Sequence, residues 1–370
     1  MSDTVLLTGA TGFLGMEVLA RLLQRSDCEM IALVRARDRA AAEDRVMGVS
    51  STLYEDVAPA LGRVRAMPAD LARGDLGLSA ADRREVLRRA TSIVHCAASI
   101  AFDLPLAQAR SINAGGTARM LSLAHELNAA GRLRRMVHIS TAYVCGRRAG
   151  VFAESQLDTG QVFRNTYERS KAHAERILRC GGADLPLVVA RPSIVVGDSR
   201  CGWTPCFNVV YWPLQAFARG LIGEIPADPD GVLDIVPVDY VADAILALHD
   251  DDATGTVHLV AGEHAVSNRQ LLELACARLG RPAPRFARAG ASPRAHMPGV
   301  READAYLAYF DVRATFDDAR ARELLAPRGV SCPPLQRYFS TLIDYAERAR
   351  WGKLSPTRAS THDRAGAGVA

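Results

Sequence analysis

The chain predicts an α/β fold, a doubly wound parallel sheet with a smaller, mostly helical substrate domain. Three observations predict it. The first is a strand, glycine turn and helix at the start. Thr4–Thr8 is a short apolar run, Gly9-Ala-Thr-Gly12-Phe-Leu-Gly15 follows, and Val18, Leu19, Leu22 and Leu23 then recur at helical spacing. The second is the alternation of strand-like and helical stretches that continues to about residue 198. The third is bulk: 370 residues, 49% hydrophobic and 23% charged, hold a sizeable core in one large or two modest domains.

The elements follow in order. Residues 30–34 form a second apolar strand, and further strands are expected at 64–69, 93–96, 136–139 and 186–196. Asp70-Leu71 ends one of these strands and Ala97-Ala98 the next, and small residues there leave room for a flat cofactor. Residues 202–214 are aromatic-rich and irregular before turning helical; Trp203, Phe207, Tyr211 and Trp212 are expected to line an apolar pocket. Residues 234–238 return to the sheet, 239–249 form a helix with an acidic first turn, and 256–261 add a strand. Asn268–Leu279 is amphipathic, 282–298 is a Pro/Arg/Ala-rich loop or lid, and helices are expected at 320–325 and 335–350. The expected division is 1–201 with 232–262 as a nucleotide-binding domain and 202–231 with 263–350 as a substrate domain. The polar, Gly/Ala-rich stretch 351–370 is expected to be a disordered tail.

The glycine turn carries chemistry. Glycines let backbone approach a pyrophosphate, and the helix that follows offers free N–H groups and a positive dipole end. The spacing is G-x-x-G-x-x-G. Arg35 follows the second strand, where an NAD site usually has an acid for the ribose 2′-hydroxyl; an arginine suits a 2′-phosphate. Arg37 and Arg45 are placed to join it, and Asp38, the nearby acid, comes late. NADPH is therefore favoured over NADH.

The second chemical signal is Tyr167-Glu-Arg-Ser-Lys171. Of 45 Lys+Arg residues only Lys171 and Lys353 are lysine. Residues four apart share a helix face, about 6 Å between Cβ atoms. A compact ammonium held there stabilises a phenolate, with hydrogen-bond geometry that the planar arginine fork does not reproduce.

Thr8-Gly-Ala-Thr-Gly-Phe-Leu-Gly15, His95-Cys-Ala-Ala98, Asn113, Ile139-Ser-Thr-Ala-Tyr143, Tyr167 with Lys171, Arg191-Pro-Ser193 and Val236-Pro-Val-Asp239 occur in that order. Together they resemble the extended short-chain dehydrogenases/reductases, a Rossmann family. Within it the chain is most similar to the thioester reductase and fatty acyl-CoA reductase branch, which includes terminal reductase domains of peptide synthetases, polyketide synthases and carboxylic acid reductases. The resemblance covers roughly residues 4–350. It implies Thr141, Tyr167 and Lys171 as catalytic residues, with Ser140 as the alternative to Thr141. Lys171 would bind the nicotinamide ribose and depress the Tyr167 pKa. The implied cofactor contacts are Gly9, Thr11, Gly12, Phe13, Leu14, Gly15, Arg35, Arg45, Asp70, Leu71, Ala97, Ala98, Asn113, Tyr167, Lys171, Pro192, Ser193 and Val195. The implied reaction is NADPH-dependent reduction of an acyl thioester, on CoA or on a carrier protein supplied in trans, to an aldehyde with an alcohol as the further product.

Two rival readings stand beside this one. An extended reductase or epimerase acting on a ketone, alcohol or sugar nucleotide would use the same triad; the aromatic stretch at 202–214 suits an apolar chain better. A non-catalytic NADP sensor would have little need of all three catalytic side chains. Arg281, Arg285, Arg288 and Arg294 suggest an entrance that attracts phosphate or an acidic carrier protein. A net charge of +4 is mild, and no nucleic-acid-binding motif is present. The eight cysteines show no disulfide framework and no Cys/His set complete enough for a metal site. No basic leader precedes the first strand and no apolar run is long enough to span a membrane, so a cytoplasmic enzyme is expected.

Overall fold

A computed structural model describes residues 3–25, 28–54, 62–207, 209–287 and 308–367. The strands are β1 (Thr4–Thr8), β2 (Glu29–Val34), β3 (Val64–Pro68), β4 (Ser92–His95), β5 (Arg135–Ile139), β6 (Ala149–Phe152), β7 (Leu187–Pro192), β8 (Ile194–Val196), β9 (Glu224–Ile225), β10 (Val232–Leu233), β11 (Ile235–Pro237), β12 (Gly255–Leu259), β13 (Val266–Ser267), β14 (Arg285–Phe286) and β15 (Arg313–Phe316). Seven of them form one parallel sheet in the order β12-β7-β5-β4-β1-β2-β3. Winding runs outward from β1 to β3, then restarts at β4 on the other side of β1. That reversal opens a crevice at the C-terminal ends of β1 and β4, where ligands bind in doubly wound sheets.

Alternation along each strand builds two cores. Val5 and Leu7 face one side with α1 (Phe13–Arg25), α2 (Arg39–Leu53) and residues of the helix Val238–His249. Leu6, Ile93 and Met136 face the other, against α3 (Ala80–Arg89), α4 (Leu106–Ala129) and α5 (Thr166–Gly181). Both faces are covered, which is why these strands read as unbroken apolar runs. A third cluster joins Tyr143, Phe152, Tyr211, Tyr309, Phe339 and Ile343 beside the sheet.

Three expectations are corrected. The strand expected at 186–196 divides at Ser193. The Ser193 N–H donates to Leu259 of β12, but the Ile194 N–H donates to Asp234, so the chain changes partner. Residues 235–237 accordingly pair with β8 in a separate two-stranded sheet instead of returning to the main one. The stretch expected to be a disordered tail carries a helix at Arg358–Ala367. Its polarity is satisfied by buried partners: Arg358 Nε donates to Glu17 Oε1 in α1 at 2.6 Å, and Trp203 Nε1 donates to the Pro356 carbonyl at 3.1 Å. His362 Nε2 also lies 3.4 Å from Asp198 Oδ2, with Cys201 close by. Asp198 is shared there with Arg200, and burial pushes the Cys201 thiol up to about 12. Among the described residues, no helix is long and apolar enough to cross a membrane.

Candidate active site

Gly9 takes φ +77, a conformation that costs glycine little. A Cβ there would meet the Ala97 nitrogen at 2.7 Å, and one on Gly15 would lie 2.0 Å from the Gly9 carbonyl oxygen. These two glycines let turn, helix and β4 pack together. Gly12 differs: a Cβ there would meet only the Gly9 oxygen, at 3.4 Å, so its outer side is open. The residues of the turn thus fit a pyrophosphate above Gly12 at the start of α1. Phe13 leads into that helix and contacts Trp203, ring centroids 6.4 Å apart. The Ala97 N–H donates to Thr8 Oγ1, fixing the Ala97-Ala98 end of β4 against β1.

At the end of β2, Arg45 reaches back from α2. Its Nη1 donates to the Arg35 carbonyl at 2.6 Å and its Nη2 to Thr11 Oγ1 at 3.2 Å. The Arg35 side chain is exposed and has no acidic partner among the described residues. Asp38 is committed elsewhere: it caps α2 through the Ala41 N–H and pairs with Arg37, and the Ala41 bond leads in holding its carboxyl below the usual range. Asp70 is likewise turned into its own loop, accepting from the Ala72 N–H, while Leu71 packs on Gly116 of α4. Pro192, Ser193 and Val195 occupy the change of partner between β7 and β8, with Val195 half-buried.

Asn165 caps α5 by accepting from the Glu168 N–H, so the helix begins one residue before Tyr167. Tyr167 is hydrogen-bonded to Thr141, which follows β5. Burial pushes the phenol up to about 12; the Thr141 bond opposes this and the Glu168 charge adds to it. The expected depression of the phenol pKa by Lys171 is absent. Lys171 instead donates from Nζ to the Ile139 carbonyl at 2.7 Å, and burial lowers it to about 8 against the pull of Glu175. Its other two N–H groups have no protein partner among the described residues. Ser140, the alternative hydroxyl, is bonded to Glu175 inside a buried ion pair of Glu175 with Arg191. It is not free to meet a substrate.

Asn113 does not turn toward the turn of glycines. Its amide accepts from the Ser99 N–H at 2.7 Å and donates to the Ser99 carbonyl at 3.0 Å and to Ser170 Oγ at 2.9 Å. It fastens the segment after β4 to the helix bearing Tyr167 and Lys171.

The expected aromatic pocket is also corrected. Trp203 is fully buried, the Tyr211 hydroxyl accepts from the Gly197 N–H, and Phe207 lies between Tyr211 and Tyr345. Trp203 and Tyr211 are core, Phe207 is half-buried between Tyr211 and Tyr345 of the helix Phe339–Arg348, and Trp212 is half-buried. The rings beside the Tyr167 phenol are ones the sequence reading passed over. Phe102 lies 5.8 Å from Tyr167 and 5.3 Å from Tyr309, centroid to centroid. Tyr309 accepts from Asn165 Nδ2 and bonds to Glu168, tying the Ala308–Asp311 turn to the start of α5. His95, named from the sequence only within a motif, and His138, not singled out there, are adjacent on β4 and β5; burial first and Lys171 second keep both imidazoles neutral. Arg281 lies against Gly220 and Arg285 pairs with the Glu224–Ile225 strand, both exposed; Arg288 and Arg294 lie outside the described residues.

A family model described as male sterility protein, an NAD-binding family, matches residues 7–245. The chain belongs to this family. It therefore carries a nicotinamide-dinucleotide-binding domain, in an extended reductase fold. It is 30% identical over 300 residues to fatty acyl-CoA reductase 2 of Homo sapiens, covering 70% of this chain and 58% of that protein. It is 33% identical over 253 residues to isonitrile lipopeptide synthase of Streptomyces coeruleorubidus, covering 66% of this chain and 16% of that one. The chain thus spans little more than half the length of the human relative. Among solved structures, the terminal R domain of the myxalamid PKS-NRPS pathway superimposes with a TM-score of 0.79 at 25% identity, over 96% of this chain and 93% of that one.

Proposed function

We propose that the chain reduces an acyl thioester to an aldehyde with NADPH. The observation that carries this reading is the Thr141–Tyr167 pair at the end of β5, with Lys171 on the same helix as Tyr167 and two of its N–H groups uncommitted among the described residues. The phenol, held neutral by burial, is in the state a proton donor needs at neutral pH. Thr141 and Tyr167 hydrogen-bond the thioester oxygen and stabilise its developing charge. Lys171 holds the ribose hydroxyls of the cofactor through the N–H groups left beside its bond to Ile139. A bound reduced nicotinamide supplies the hydride. The oxygen takes the Tyr167 proton to give a hemithioacetal; its C–S bond then breaks, the thiol leaves, and the aldehyde remains. A second round on the aldehyde gives the alcohol.

Arg35 and Arg45, with Asp38 used as a helix cap, support NADPH over NADH. Exposed Arg281 and Arg285 support an entrance for a phosphorylated or acidic carrier of the acyl group. The family's fatty acyl-CoA and lipopeptide members favour the thioester over a sugar nucleotide. The test is direct. The protein is mixed with NADPH and a panel of acyl-CoA and acyl-carrier thioesters, and absorbance loss and products are followed. Thioester-dependent oxidation with aldehyde or alcohol formation is expected; turnover of ketones or nucleotide sugars alone overturns the proposal.

A further inference from the structure

We infer that Phe102 sets the acyl specificity of this site by selecting chains that are unbranched at the carbon next to the carbonyl. The inference rests on the proposed thioester reduction and adds the shape of its substrate.

Phe102 lies on the segment between β4 and α4, and that segment is fastened at both ends. Asn113 grips the Ser99 backbone through both its N–H and its carbonyl. Thr166 Oγ1, one residue before the catalytic tyrosine, donates to the Phe102 carbonyl at 3.2 Å and to the Leu104 carbonyl at 2.9 Å. The ring is wedged between Tyr167 at 5.8 Å and the buried Tyr309 at 5.3 Å. Such spacings are those of rings in contact, with no space between them for a further group. Tyr309 is itself held by Asn165 and Glu168, so Phe102 has little room to retreat.

A carbonyl oxygen within hydrogen-bond reach of the Tyr167 hydroxyl, roughly 2.6–3.2 Å, puts the neighbouring carbon two bonds beyond that oxygen, on the scale of the 5.8 Å between the Tyr167 and Phe102 rings. Hydrogens on that carbon pass the ring. A methyl or amino substituent on the side facing Phe102 meets a ring that does not yield. Ile100, on the same segment, is 60% exposed and extends the apolar surface available to the rest of the chain.

The experiment compares octanoyl-CoA with 2-methyloctanoyl-CoA, each stereoisomer separately, on the whole chain and on Phe102→Ala and Phe102→Leu. A single carbon in a defined apolar site is worth about 10–200-fold in kcat/KM. The unsubstituted protein is expected to favour the straight chain by at least about tenfold over one isomer. Phe102→Ala is expected to shrink that ratio severalfold or more, with Phe102→Leu intermediate, the change falling on kcat/KM for the branched substrate. Equal rates for branched and straight substrates, or an equal loss on both in Phe102→Ala, overturns the inference, the latter assigning Phe102 to positioning Tyr167. If no thioester is reduced, octanal and 2-methyloctanal replace the pair. A selectivity lost in Phe102→Ala then upholds the wall while the thioester reading falls, and no change in selectivity overturns both.

Discussion

Lys171 shows how one residue's environment sets a testable pH dependence. Its ammonium is buried against the Ile139 carbonyl and its pKa is lowered to about 8. In the proposed mechanism the charged form, present below that value, is the one that donates to ribose hydroxyls. Cofactor affinity should therefore be full near pH 7 and weaken as pH rises through about 8. Fluorescence titration of the dinucleotide between pH 6.5 and 9.5 measures this, and Lys171→Arg should flatten the dependence while binding weakly throughout. Tyr167→Phe removes one oxyanion donor and should lower kcat on the order of 10²–10³-fold, with an unchanged thermal melt. At Arg35, loss of a charge-assisted bond costs about 1.5–3 kcal/mol. Arg35→Ala should raise the KM for NADPH accordingly and spare that for NADH, as initial rates with each cofactor will report.

At the scale of elements, the glycine turn separates folding from binding. Gly15→Ala forces a Cβ to 2.0 Å from the Gly9 oxygen, so the first strand and helix cannot pack as they do. A large drop in melting temperature, or no soluble protein, is expected. Gly12→Ala meets only an ordinary contact at 3.4 Å. Its melt should be unchanged while dinucleotide affinity falls roughly tenfold or more, a loss of about 1.4 kcal/mol. This turn, the strands of the main sheet and the Tyr167–Lys171 face of α5 were legible because period and spacing act within a dozen residues. The change of partner at Ser193 was not, because it depends on which distant strand, Leu259 or Asp234, receives each N–H. Trp203 and Tyr211 were misassigned for a related reason. An aromatic run reads the same whether it lines a cavity or meets a helix more than a hundred residues on. Phe102 was passed over because nothing in its neighbours marks it; its place is fixed by Asn113 and Thr166.

Across the whole molecule, Glu17 joins regions far apart in the chain. It is fully buried and pairs with Arg21 in its own helix and with Arg358. Arg358→Ala leaves the carboxylate one cation and removes a bond to a charged group, worth about 1.5–3 kcal/mol. A lower melting temperature is expected, with the catalytic pH profile unmoved; an unchanged melt would mean that the helix Arg358–Ala367 contributes nothing to the nucleotide-binding half.

The same carboxylate imposes an order on biosynthesis. Arg21 leaves the ribosome four residues after Glu17, but Arg358 follows 341 residues later. At about 5–20 residues per second, the carboxylate has Arg21 but not Arg358 as a partner for roughly 17–70 s. Of the two bonds to Glu17, the one from Arg358 is therefore the later to form. Ribosome-bound chains arrested short of residue 358 should be cut by protease near α1 more readily than released ones.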